Sequence, residues 1–212
     1  MKSTLFTILI LFLLSSCMTI PFPSDLDFYF HSDTVRRYSF LGNNDNSQSP
    51  IKFALNPQLQ GLTITQRPKN NRKQAELDHL PVGKALIVRL EDLEKSLSTK
   101  LKGKELIGIY PTVIEFTLEY TKDENQNINW AKISAVIQSD LPDIHNTIKF
   151  KFDNEFFSRQ SNYSNAEKLF AWAFNPMASK EQYFPRSALS KGMDHLALSY
   201  VDHILQSMKN YK

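Results

Sequence analysis

Five histidines offer the obvious chemistry in this chain: His31, His79, His145, His195 and His203. None stands at a metal-ligand spacing from another. Near the C-terminus the pairs Asp194-His195 and Asp202-His203 recur eight residues apart. At about 100° per helical residue, His195 and Asp202 project in nearly the same direction, away from the apolar positions. One such pair could offer two ligands, but zinc generally takes three or more from protein. The expectation is a solvated polar face. Asp140 and Asp143 flank Pro142 and read as turn residues rather than an acid/base pair. No serine sits in a G-x-S-x-G elbow, and with six glycines the chain has no glycine-rich phosphate loop. No catalytic, cofactor-binding or metal-binding residue is assigned. Were the protein a hydrolase, His145 and His195 would be the first bases to inspect.

The remaining reactive group is a single thiol. Cys17 is the one cysteine of 212 residues, so an intramolecular disulfide is impossible. Its setting accounts for it. Met1-Lys2 supplies a positive start, and Leu5 to Leu14 is an apolar run interrupted only by Thr7. Ser15 and Ser16 then precede Cys17. This is the layout of a cleavable secretory signal. The run is short for a membrane span, which needs about 20 apolar residues. Pro21 and Pro23 would break a helix continuing beyond it. Leu14-Ser15-Ser16-Cys17 resembles the bacterial lipobox, an aliphatic residue and two small ones before Cys. The resemblance implies cleavage between Ser16 and Cys17, diacylglycerol on the Cys17 thiol, and often a third acyl chain on the new amine. One acyl chain anchors only marginally, at about 0.8 kcal/mol per buried methylene, whereas two or three hold firmly. Met18 is not the Asp that favours inner-membrane retention in enterobacterial lipoproteins, so the periplasmic face of the outer membrane is expected. Competing readings are an uncleaved anchor and a secreted protein with Cys17 at the cleavage site by chance. The chain divides into a signal peptide (1–16), a lipidated tether (17–24) and one domain (25–212).

Composition suits that domain. Hydrophobic residues make up 42% and charged residues 22%, enough to build a core. The formal charge of +3 falls by one, to +2, when Lys2 leaves with the signal. That is too mild, and too dispersed, for a nucleic-acid binder. The densest basic knot is Arg67, Lys69, Arg72 and Lys73, in a polar stretch that reads as a solvated loop. Asn162-Tyr163-Ser164 matches a glycosylation acceptor, relevant only in a eukaryotic secretory pathway.

Periodicity predicts the elements that would position these groups. Residues 26–30 and 35–41 read as strands, followed by a loop over 42–47. Ile51, Phe53 and Leu55 alternate, as do Leu62 and Ile64. Leu86, Leu90, Leu93, Leu97 and Leu101 form the apolar stripe of a helix over 83–101, with Gly103 suited to end it. Ile114, Phe116, Leu118 and Tyr120 alternate, a polar turn follows over 123–127, and Ile128 to Gln138 returns as a strand. Leu141-Pro142-Asp143 breaks the chain before a third strand with Ile148, Phe150 and Phe152. Ser164 could cap a short helix carrying Leu169, Phe170, Ala173 and Phe174. Trp172, Tyr183 and Phe184 make the region around it aromatic. A last helix over 187–209 carries Leu189, Met193, Leu196, Ala197, Tyr200, Ile204 and Met208. The expected fold is α+β, an antiparallel sheet of about 5–6 strands with amphipathic helices on one face.

That layout is similar to small α/β envelope lipoproteins, such as the auxiliary lipoproteins of ABC-type lipid transport and the lipoprotein partner of the lipopolysaccharide translocon. The likeness is one of architecture and carries no motif. It implies a non-catalytic binding or assembly role in the envelope, with another envelope protein or a lipid as partner, no nucleic acid and no cofactor. A tethered carrier of lipid or small apolar ligands is an alternative, and would need a cavity between sheet and helices. An envelope hydrolase with a site assembled from distant residues is a second.

Overall fold

Three long strands, β4 (Ile107–Lys122), β5 (Ile128–Leu141) and β6 (Asn146–Phe157), form the antiparallel meander that the alternation predicts. The computed structural model describes residues 51–70, 77–100, 107–124, 127–158 and 187–209. The expected strands over 26–30 and 35–41, the Ser164 helix and its aromatic surroundings lie outside the described residues. The β4–β5 turn is closed by its own polar side chains. Asp123 Oδ1 accepts from the Asn127 amide at 2.9 Å, and the Asp123 amide donates to the Asn127 carbonyl at 2.9 Å. Between β5 and β6, a turn of 3-10 helix over Pro142–Ile144 ends at His145 in the left-handed region (φ 47°).

β4 changes phase along its length. Ile109 and Pro111 are buried at its start, but Leu118 and Tyr120 near its end. Odd and even positions can both face the core because Ile114 is an extra residue: Val113 pairs with Ile137 and Glu115 with Val136. Such a bulge flips the side-chain alternation. Ile114 is therefore displaced to an exposed position, a correction to its expected place with Phe116, Leu118 and Tyr120 on one apolar face.

The α+β class is as expected, but the six described strands are not one antiparallel sheet. β1 (Ile51–Phe53) adds to the outer side of β4 in parallel, giving a mixed sheet of order β1-β4-β5-β6. The connection from β1 to β4 is long and includes a helix, which is what a parallel neighbour needs. Along it, α1 (Pro57–Gly61) is capped by Asn56, whose Oδ1 accepts from the Leu59 amide at 2.8 Å. Then β2 (Ile64–Gln66) and β3 (Asp78–Leu80) pair only with each other, as a two-stranded ribbon.

The long helix α2 (Val82–Lys100) matches the predicted stripe. Leu86, Leu90, Leu93 and Leu97 are all buried, each contributing about 1.5–3 kcal/mol by area. The last helix, α3 (Ala188–Lys209), is capped by Ser187, whose Oγ accepts from the Ser190 amide at 3.1 Å. α3 lies on the inner face of the sheet, against β5 and β6, whose inward residues are Ala131, Ile133, Ala135 and Ile137 and Ile148, Phe150 and Phe152, while α2 packs beside α3 and against β1. At Gly192 the helix comes so close that an added Cβ would stand 2.5 Å from Ile133 Cδ1. The outer face carries the polar alternates.

The free side of β4 is also covered beyond β1. Lys69 donates its amide to the Tyr120 carbonyl at 2.8 Å, and Asn70 exchanges two hydrogen bonds with the Lys122 backbone. Gln66 Nε2 reaches the Leu118 carbonyl. Part of the expected solvated loop thus serves to blunt a sheet edge.

Candidate functional site

The polar groups of the last helix fall into three environments. The first is fully buried and was not anticipated. Arg89 of α2 and Asp194 of α3 are each 0% exposed, with Arg89 Nε donating to Asp194 Oδ1 at 2.7 Å. The guanidinium also donates to the Ala85 carbonyl at 2.9 Å and to Ser190 Oγ at 3.2 Å. One fork thereby ties two helices together. Five donors in fixed geometry make Arg able to satisfy such a site, where Lys could not.

The second environment is the sheet-facing side. Tyr200 is buried against Phe53 and Phe150, with ring centroids 6.1 and 5.6 Å away. Its hydroxyl meets Ser139 Oγ of β5 at 2.6 Å. Burial pushes the phenol far above its ordinary range, so it stays neutral and satisfies the buried serine.

The third is the rim that carries His195, Asp202 and His203. His195 is exposed and lies against Phe156 (5.3 Å), while His203 is half-buried against Phe150 (5.5 Å). Asp202 is half-buried, and its Oδ1 is out of solvent without a hydrogen-bond partner. Desolvation raises its carboxyl above the usual range. The folded state therefore holds the Asp202 proton more tightly than the unfolded state does. The charged form costs stability near neutrality, and the cost fades as pH falls through the folded value toward the unfolded one. Asp202→Asn is expected to raise the melting temperature near neutrality but not below the ordinary carboxylate range, where the carboxyl is protonated in the folded and unfolded states alike. An equal shift at both pH values would show that the effect is not ionisation.

The other sequence candidates are scattered. His79 is exposed on β3 and bonded to Thr65 Oγ1 at 3.0 Å. Asp140 lies at the end of β5 rather than in a loop and accepts from Thr147 Oγ1 of β6 at 2.9 Å; Asp143 is in the turn, as expected, and accepts from the Gly108 amide of β4 at 2.8 Å. His145 is exposed in its turn. Of the basic knot, Lys69 pairs with Glu119 at 2.7 Å, and this bond holds the Glu119 carboxyl below its usual range. The same ammonium lies over the Trp130 ring at 5.5 Å. Arg67 is exposed, while Arg72 and Lys73 fall outside the described residues. Among the described residues no three His, Cys, Asp or Glu side chains converge as a metal site. His31, Ser16 and Cys17 lie outside the described residues.

No protein-family model matches the chain, and no curated protein matches it. The residues themselves carry the functional reading. The pair most worth finding in the sequence was Arg89 and Asp194, and a signal existed. Arg89 interrupts the stripe between Leu86 and Leu93, and Asp194 interrupts its counterpart between Met193 and Ala197.

Proposed function

We propose that this protein is a lipid-anchored component of the bacterial cell envelope, held at a membrane by acyl chains on Cys17 and acting by binding rather than by catalysis. The observation that carries the reading is Leu14-Ser15-Ser16-Cys17 behind a charged, apolar leader, in a chain with no second cysteine. Cleavage between Ser16 and Cys17 would free the amine that carries a further acyl chain. Two or three chains give an anchor that thermal motion does not reverse on a cellular timescale. No described helix is long and apolar enough to cross a membrane.

The placement of polar groups supports the binding half. Arg89 is bonded to Asp194 and Ser139 to Tyr200, joining helix to helix and helix to sheet. The polar alternates of β4, β5 and β6 stay on the face opposite the helices, a surface suited to contact with another envelope component.

Mass spectrometry of the membrane-extracted protein, beside Cys17→Ala, tests the reading. An N-terminal lipopeptide beginning at Cys17 is expected, with Cys17→Ala losing both the added mass and the membrane fraction. A mature chain without lipid would overturn the anchor.

A further inference from the structure

The sheet ends on one side at β6, whose one strand neighbour among the described residues is β5; at its far end the Phe157 carbonyl accepts from Lys191 Nζ of α3 at 3.1 Å. Its inward residues are apolar: Ile148, Phe150, Phe152 and Phe156. Its outward residues follow a different order: Lys149, Lys151, Asp153, Glu155. All four are exposed. Asp153 accepts from Ser134 Oγ at 2.6 Å and stands 3.7 Å from Lys132; Glu155 accepts from Trp130 Nε1 at 3.3 Å. Neither Lys149 nor Lys151 has an ion-pair partner among the described residues.

Two positive positions followed by two negative ones make a strand complementary to itself in the antiparallel sense. The geometry points to a symmetric dimer in which the β6 edges of two copies pair about a two-fold axis at Phe152, joining both main sheets into one. In that register Lys151 faces Asp153 of the second copy and Lys149 faces Glu155, each twice by symmetry. Ile148 then stands opposite Phe156, and Phe150 opposite Asn154. An isologous interface requires a patch complementary to itself. The edge amides and carbonyls supply the attraction, as in strand addition generally.

The charges select the register. Opposite charges across an antiparallel pair stabilise and like charges destabilise. Moving the axis one residue toward the N-terminus places Lys151 against its own copy, and one residue toward the C-terminus places Asp153 against its own. Both shifts keep every side chain on its proper face, so pleat alone would not discriminate between them. The alternation of apolar and charged positions also keeps the helices of both copies on one side of the joined sheet. Nothing in this arrangement depends on the Cys17 anchor.

The test uses the full chain, extracted in detergent, with two charge reversals: Lys149→Glu with Lys151→Glu, and Asp153→Lys with Glu155→Lys. Sedimentation at micromolar concentration is expected to give a dimer for the wild type. Each reversal alone should weaken self-association by at least about tenfold, because four favourable pairs become four unfavourable ones. Mixing the two reversed proteins should restore a dimer, seen as a heterodimer by native mass spectrometry. Circular dichroism confirms that each variant is folded before comparison. A monomeric wild type would overturn the proposal. So would a dimer that survives both reversals, or reversed proteins that do not combine.

Discussion

Arg89→Ala is expected to destabilise the fold by about 3–5 kcal/mol, because it leaves the Asp194 carboxylate buried without its partner. Asp194→Ala should cost a similar amount, stranding the guanidinium. Attraction between the two charges is not the whole reason. Both were taken out of water on folding, and the pair does little more than offset that loss. The double replacement Arg89→Met with Asp194→Leu should therefore recover most of the stability, within roughly 1–2 kcal/mol of wild type or above it. Equilibrium unfolding in urea of the four proteins gives the cycle directly. If the double variant is as unstable as the single ones, the pair is not an isolated buried couple and the ledger of desolvation against attraction fails.

The second large effect comes from a close approach of backbone to backbone. Gly83, the second residue of α2, lies directly against the end of α1. A Cβ there would stand 1.8 Å from the Leu59 carbonyl oxygen and 2.9 Å from Leu62 Cβ, while the Gly83 amide donates to the Leu62 carbonyl at 2.9 Å. A flexible side chain could move aside, but a carbonyl oxygen moves only with its helix. Gly83→Ala should cost about 1–3 kcal/mol, the range for forced overpacking, despite the better helix propensity of alanine. Gly61 is the internal control. It ends α1 with nothing within 4 Å of an added Cβ, so Gly61→Ala should be neutral or stabilise by up to about 1 kcal/mol. Thermal melts of both variants check the contrast. Comparable loss at the two positions would point to glycine's backbone freedom rather than to packing.

The meander and both long helices were legible from sequence because each carries its own periodicity over a dozen or more residues. Asp123 to Asn127 announced its turn, and Ser187 to Lys209 its helix, to within a residue. The short elements α1 and β3 were not read, and neither were three further features. β1 is three residues long, and its parallel partner lies beyond a helix, so no local pattern names Ile107 as the neighbour of Ile51. The bulge at Ile114 had a trace in the switch from odd to even apolar positions between Ile109 and Leu118, but alternation was counted only after the switch. Arg89 and Asp194 sit by helical position inside apolar stripes, where their residue types alone would not place them. For the site, Cys17 was legible because a short motif carries its chemistry. The solvated face expected for His195 and Asp202 is half right: His195 is exposed, whereas Asp202 keeps one oxygen out of water.

The ion pair between α2 and α3 has a consequence for the order of assembly. Arg89 and Asp194 are separated by 105 positions, whereas each strand of the meander pairs with its immediate neighbour in the chain. Contacts between near neighbours close short loops and form quickly, and distant ones wait for the chain entropy to be overcome. Hairpin pairing of β4, β5 and β6 is thus expected to precede the docking of the last helix, an order that pulsed amide exchange during refolding would check. Until that helix arrives, the inner face of the sheet is open to water and the guanidinium of Arg89 is hydrated. On that order the dehydration of Arg89 and the seating of Asp194 would be one late event, with the pair favouring the axial setting in which the two groups meet.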